Sequence, residues 1–375
     1  MAYRKQCLVA VGGFDPTFWV AGDDVDLCWR IQDKGWVLGF SPSAVVWHHR
    51  RHSISRYLKQ QRGYAKAEAL LAEKWPSKYN SAGQLTWHGR LYGRGNLQAL
   101  ILSPRIYHGT WGTALFQSLY EPASGMWSAL PRMPEWYLML TGLGALAALG
   151  LSWPPLLAFV PVFTAATALT LGQALQGARK AVFHPAPNSG REAWRLRTVV
   201  AVLDLLQPVA RLVGRAQHGL GPWRRRSLAR AAPFPTTHAI WCERWAPTEA
   251  RLADIEAMLH EDGAVVVRGG NFDRWDLAIR GGLFGSVRAL AMVEEHGAGK
   301  QLFRIRAWPA VPAVTAVLIA ALTVGAVFAG VENAWVAALS LAGSGATLAL
   351  LAYQDCALAL QRWSATITAY SDTQL

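Results

Sequence analysis

Charge is what this sequence has little of. Only 16% of its 375 residues are Asp, Glu, Lys or Arg, and the acids are the scarcer sign, 24 against 37 basic residues. Cysteine is rarer still. Cys7, Cys28, Cys242 and Cys356 are scattered and form no Cys-x-x-Cys pair. That excludes a zinc ribbon or a disulfide framework and fits a reducing compartment. The charged start is not followed by an apolar core and a cleavage site, so no signal peptide is expected. Internal repeats and low-complexity tracts are also missing. The formal net charge of +13 calls for an anionic partner: nucleic acid, anionic lipid or a phosphorylated substrate.

What is abundant is apolar length and tryptophan. Apolar residues make up 52% of the chain, and 18 residues are Trp, whose amphipathic ring favours the membrane–water interface. No charge occurs between Glu135 and Arg179, a window too long for one span and divided by Pro154-Pro155. It reads as a helical hairpin, Trp136–Trp153 and Leu156–Leu175. Uncharged windows also run from Ala307 to Val331 and from Asn333 to Gln354, parted only by Glu332. A span needs roughly 20 apolar residues, so these form a second hairpin and bring the expected spans to four. The alternative is two buried hairpins in a soluble core.

The basic residues lie between the hairpins. Arg179, Lys180, Arg191, Arg195, Arg197, Arg211, Arg215, Arg224, Arg225, Arg226 and Arg230 meet only Glu192 and Asp204. By the positive-inside rule the N-terminal part, this central region and the C-terminus are expected on the cytoplasmic side of an inner membrane, in a multi-pass topology. Topology thus accounts for the arginines, and no nucleic-acid partner is expected. Trp194–Arg215 has helical periodicity with arginines at both ends. It reads as an interfacial helix on an anionic lipid membrane, kinked at Pro208, or as an ordinary amphipathic helix packed on a soluble domain.

Residues 236–306 read as a small α+β cytoplasmic unit. A helix is expected over Arg251–His260 with Thr248 as its N-cap and Gly263 ending it. Strands are expected at Ala264–Arg268, Val287–Glu294 and Gln301–Trp308, the last two joined by a turn at Gly297–Gly299. Asn271-Phe272-Asp273-Arg274-Trp275-Asp276 reads as a structural turn.

The first 80 residues differ in kind. Gly12-Gly13-Phe14-Asp15-Pro16 is a turn signal, and Gly22-Asp23-Asp24-Val25-Asp26 opens a helix that ends near Gly35. Acids at a helix start can be simple caps. Phe40–Trp47 then reads as a strand ending in His48-His49-Arg50-Arg51-His52. A helix over Ser55–Lys74 carries Gln60-Gln61-Arg62-Gly63-Tyr64.

In this order, the acid cluster, the histidine pair after a strand and the Gln/Arg/aromatic helix resemble the end of the catalytic domain of inverting family-2 glycosyltransferases with the GT-A fold. The resemblance covers about residues 1–80. It implies transfer from a nucleotide-diphosphate sugar donor to a cell-envelope glycan or lipid acceptor, with inversion at the anomeric carbon. Asp24 stands where the family places its base, a carboxylate in reach of the acceptor hydroxyl, and Asp23 and Asp26 shape the field. Either His48 or His49 falls where relatives place a histidine near the metal and diphosphate, and a divalent metal, Mg or Mn, is expected. Gln60, Gln61, Arg62 and Tyr64 resemble the Gln-x-x-Arg-Trp motif that binds acceptor sugar and diphosphate. Gly63 and Tyr64 replace its arginine and tryptophan, which puts processivity in doubt. The other reading of this helix is a basic face docking at the membrane.

The Rossmann-like half of that domain, with its Asp-x-Asp motif, is not found before Gly12. Met1 is therefore expected to be an internal methionine, or the gene split or truncated, and the chain alone to be inactive.

The expected fold is an α/β fragment of a GT-A domain followed by transmembrane helical hairpins and a small α+β unit. Its segments are 1–80 (catalytic part), 81–135 (linker and membrane-approach helices), 136–175 (first hairpin), 179–235 (basic segment), 236–306 (α+β unit), 307–354 (second hairpin) and 355–375 (tail). The competing function is a non-catalytic membrane scaffold or subunit.

Overall fold

The computed structural model describes residues 2–19, 21–39, 53–80, 83, 85–87, 105–107, 130–183, 185–220, 232–270 and 273–374. The chain divides into two compact units, Met1–Arg224 and Arg225–Leu375.

In the first unit, a short helix α1 (Lys5–Ala10) precedes α2 (Asp23–Asp33) and the long α3 (Ile54–Lys74). Each begins or ends for a local reason. The N-cap of α2 is Gly22, at φ +89°, a left-handed conformation that favours glycine. At the other end Gly35 takes φ +84°. There the Gly35 amide donates to Gln32 O and the Trp36 amide to Ile31 O, a Schellman closure. Helix α3 starts where the Ser53 hydroxyl accepts from the Arg56 amide at 3.3 Å. Beyond it, β1 (Leu85–Trp87) pairs antiparallel with β2 (Arg105–Tyr107). The expected strand Phe40–Trp47, with His48 and His49, lies outside the described residues.

Among the described residues three further helices belong to this unit: α4 (Pro134–Leu149), α5 (Phe159–Lys180) and α6 (Gly190–Gln217). The break between α4 and α5 falls at Gly150–Trp153, followed by a 3-10 turn over Pro154–Ala158. Helix α4 has 16 residues, about 24 Å of rise, which is short of a bilayer's apolar core. Among the described residues three helices, not four, are long and apolar enough to cross a membrane: Pro154–Lys180, Ala313–Val331 and Trp335–Gln374.

Helix α6 spans more than the expected Trp194–Arg215, with Pro208 buried in its interior. The arginines at its two ends differ. Arg191, Arg195 and Arg197 are exposed. Arg211 and Arg215 are instead buried and paired with Glu68, so that end of the helix does not face lipid headgroups.

The second unit is a five-stranded antiparallel sheet, order β3-β7-β6-β5-β4, built from β3 (Thr236–Cys242), β4 (Val266–Arg268), β5 (Leu277–Arg280), β6 (Ser286–Glu295) and β7 (Gln301–Ala310). Strands β3 and β5 go beyond the sequence reading. Helix α7 (Thr248–Glu261) is capped by Pro247, which makes Thr248 its first residue rather than its cap. After β7 come α8 (Ala313–Val331) and α9 (Trp335–Gln374), a single helix of 40 residues. One sheet face is covered by Ile255 and Leu259 of α7 and by Ala359, Leu360, Trp363, Ile367 and Tyr370 of α9, packed on Ile240, Ile279, Val287, Phe303 and Ile305. The other face is open, which produces the alternating burial along β6 and β7. Residues 355–374, read from sequence as a tail, thus belong to a core helix.

Candidate functional site

The site begins with two consecutive glycines, Gly12 at φ +74° and Gly13 at φ +75°. Their left-handed turn lets Arg30 of α2 reach back and donate to Val11 O at 2.6 Å and Gly13 O at 2.8 Å. Next, Asp15 accepts from the Thr17 amide at 2.9 Å and from Lys74 at 2.6 Å. The Lys74 and Thr17 hydrogen bonds hold the Asp15 carboxyl well below the usual carboxylate range.

The three aspartates of the cluster part company. Asp26 is fully buried. It accepts from Arg30 Nε at 2.8 Å and from Trp75 Nε1 at 2.8 Å, and it pairs with Lys74 Nζ at 2.8 Å. Burial would raise its pKa, but the hydrogen bonds from Lys74, Trp75 and Arg30 outweigh that and lower it. This fixes α2 against the C-terminal end of α3 and occupies the carboxylate with three partners. Asp23 and Asp24 are half-exposed at the start of α2, where the helix N-terminus favours negative charge. Two groups that the sequence does not assign to the site lie beside them. The Tyr3 hydroxyl is pushed up to about 12 by burial, by Cys28 and by the charges of Asp24 and Asp23. The Cys28 thiol is raised by burial and by Asp24. No spacing rule links Tyr3 to Cys28, so only the fold could reveal them.

Helix α3 backs the cluster closely. A Cβ on Gly22 would lie 3.2 Å from Leu71 Cδ1 and 3.3 Å from Ala67 Cβ. An open hollow just before Asp23 is lined by Thr17, Trp19, Ala21, Lys66, Ala67 and Leu70. Trp19 stands at its rim with 91% of its surface exposed.

The expected Gln60–Tyr64 motif splits across α3. Gln60 Nε2 donates to the Tyr64 hydroxyl at 2.7 Å on an exposed face, and Arg62 is exposed as well. Gln61 is buried and accepts from Gln207 of α6 at 3.4 Å, which makes it a packing residue.

The far side of α3 is bound to α6, which in turn is bound to α4. Glu68 pairs with Arg211 and Arg215, and Arg215 also pairs with Glu135. Burial would raise the Glu68 carboxyl, yet the two guanidinium groups lower it. Gly214 permits the approach, since a Cβ there would lie 2.7 Å from Ala65 Cβ and 2.9 Å from Arg62 O.

Among the described residues no group of three or more His, Cys, Asp or Glu side chains converges as a metal site. Asp23 and Asp24 alone do not make the donor set of a divalent cation, and His48 and His49 lie outside the described residues.

Part of the chain is similar to known glycosyltransferases. Over 75 residues, 20% of its length, it is 37% identical to the pre-mycofactocin glycosyltransferase of Mycobacterium tuberculosis, of which the match covers 16%. Over 53 residues, 14% of its length, it is 42% identical to the N-acetylglucosaminyl-diphospho-decaprenol L-rhamnosyltransferase of the same organism, covering 17% of that protein. The chain therefore spans about a sixth of the length of the curated relatives it matches. No family model matches the chain, and no solved structure matches it.

Proposed function

We propose that this chain contributes to a membrane-bound, inverting glycosyltransferase of family 2, in which residues 1–80 form the acceptor side of a GT-A catalytic site. The observation that carries this reading is the division of labour in the acid cluster. Asp26 is consumed by Arg30, Lys74 and Trp75, while Asp23 and Asp24 stay accessible on the same helical turn.

In the reaction Asp24 takes the proton from the acceptor hydroxyl as that oxygen attacks the anomeric carbon of a nucleotide-diphosphate sugar. The carbon–diphosphate bond breaks on the opposite face, which inverts the configuration. The Gly22 turn fixes the direction of α2, and the Asp26 ties hold it there, so the base is pre-positioned. The shallow hollow beside Trp19, lined also by Thr17 and Lys66, offers the acceptor an aromatic edge and polar groups ahead of the start of α2. Half-buried Gln60 and exposed Arg62 and Tyr64 offer hydrogen bonds and positive charge further along α3. A divalent metal, Mg or Mn, would offset the charge that develops on the departing diphosphate.

A lipid-borne or cell-envelope acceptor fits a chain whose described residues include three helices able to cross a bilayer. One of the relatives is named for a diphospho-decaprenol acceptor, which supports the same class.

The test is Asp24→Asn in the protein as its own cell makes it, followed by transfer of labelled sugar from a panel of nucleotide sugars in isolated membranes. Loss of a general base costs about 10²–10⁴-fold in rate. Expression and membrane insertion should stay unchanged. Full activity in that variant would remove Asp24 from the base role and favour a non-catalytic scaffold.

A further inference from the structure

We propose that the membrane-proximal end of the open sheet face in the second unit binds anionic phospholipid headgroups, through Arg288 and Arg306 flanked by Trp308 and Trp275. The proposal is independent of sugar transfer and rests on α8 and α9 crossing the bilayer.

The Ser286/Ala310 end of the sheet is the end nearest the bilayer. Strand β7 ends at Ala310, and α8 starts at Ala313. In α9 the apolar run closes at Gln354-Asp355. At that level Cys356 Sγ lies 3.9 Å from Ala310 O, and Gly285 approaches Ala352 O and Cys356 Sγ, so closely that a Cβ would lie 2.7 Å from each. Ser286 pairs with Ala310, and two residues further out Arg288 pairs with Trp308. At about 3.4 Å per residue this rung lies at most about 7 Å beyond the apolar boundary, within the headgroup layer, and Arg306, one rung further out at no more than about 14 Å, reaches back toward that layer along its flexible stem.

Charge is distributed unevenly along this face. Toward the far end Arg304 and Lys300 each have a carboxylate. Arg304 Nε pairs with Glu294 at 2.8 Å, and Lys300 pairs with Glu243 at 3.0 Å. At the near end Arg288 and Arg306 are exposed, and no described carboxylate pairs with either. Leu290 faces Arg306 while Trp308 faces Arg288, so the two arginines are diagonal neighbours about 7 Å apart. Like charges at that spacing repel, and a phosphate between them removes the repulsion while accepting from both guanidinium groups. Arg288 also lies 5.4 Å from the Trp275 ring centroid, which orients its fork. Trp308 on the same rung suits the interface.

The experiment places the full chain in phosphatidylcholine nanodiscs doped with a photoactivatable phosphatidylglycerol or a photoactivatable phosphatidylcholine, with labelled peptides then mapped. Resistance to alkaline extraction checks the insertion of α8 and α9 separately. Phosphatidylglycerol should label the β6–β7 peptides well above phosphatidylcholine. R288A/R306A should reduce that labelling about 25-fold, at about fivefold for each cation near the surface, and R304A should leave it unchanged. In the unaltered chain the preference should fade as salt rises from low to high ionic strength, a readout that holds even if a variant misfolds. Equal labelling by the two lipids, an R288A/R306A chain that labels like the wild type, or a preference indifferent to salt would each overturn the proposal. Displacement by inorganic phosphate as effective as displacement by unlabelled phosphatidylglycerol would also overturn it, because the site would then take free phosphate.

Discussion

Asp23, Asp24 and Asp26 share one helical turn, yet their positions give them different work. Residues two apart on a helix stand about 200° apart around its axis, so Asp24 and Asp26 face opposite ways. Asp26 meets the end of α3 and is saturated there. Asp26→Ala should therefore destabilise the first unit by about 3 kcal/mol, since it strands Lys74 and Arg30 beside an emptied site. A thermal melt in detergent reads this, and a melting point within a degree of the wild type would contradict it. The pH dependence has a definite sign. The folded carboxyl has a lowered pKa, so its contribution is present above the ordinary carboxylate range near 3.9. It is lost as pH falls through the folded value. Asp26→Asn should flatten that acid limb. The sequence made the cluster visible but not which acid turns inward, because the deciding partners, Lys74 and Trp75, stand almost fifty positions away and nothing local marks them.

At the scale of elements, α3 is a wall with two working sides. One side backs α2 through Ala67, Leu71 and Lys74. The other meets α6 through Glu68 and Ala65. The limits of α3 were legible: the expected Ser55–Lys74 differs from Ile54–Lys74 by one residue, because the run is free of Pro and Ser53 supplies the cap. The role of α6 was not legible. Its arginines look like a lipid-facing end until Glu68 is known to lie between two of them. Glu68→Gln should cost about 3–5 kcal/mol, since it leaves two buried guanidinium groups without their shared carboxylate. Glu135→Gln should cost less, because Arg215 keeps Glu68. Comparing the two by thermal unfolding and by proteolysis between α3 and α6 tests this order, and equal stability of the two variants would refute it. As the Glu68 pair also sets the position of α3, Glu68→Gln should impair transfer without touching Asp24.

On the scale of the whole chain, α9 joins two environments in one element. Its first half is apolar and long enough to span a bilayer. Its second half buries Ala359, Leu360, Trp363, Ile367 and Tyr370 against the sheet. From the sequence alone the apolar helix ends at Gln354, because the first charge, Asp355, resembles a membrane boundary. Asp355 does mark a change of surroundings, but it is buried and accepts from the Phe284 amide at 2.9 Å. The backbone continues unbroken, and a helix can pass from lipid to a protein core without any change in its hydrogen bonding. The second unit should therefore depend on residues that follow its membrane helices. Trp363 is fully buried, and Trp363→Ala should cost about 3–5 kcal/mol through lost transfer energy and the cavity left behind. A stop codon in place of Asp355 should go further and leave β3–β7 without one of their two covering helices. Limited proteolysis distinguishes the outcomes. The truncated chain should remain in the membrane, since α8 and the apolar half of α9 are intact, while cleavage sites open along β3 to β7. A protease-resistant sheet in the truncated chain would mean that α7 alone closes the core. The open face carrying Arg288 and Arg306 would then owe its alignment to the strands rather than to the helix that runs on from the bilayer.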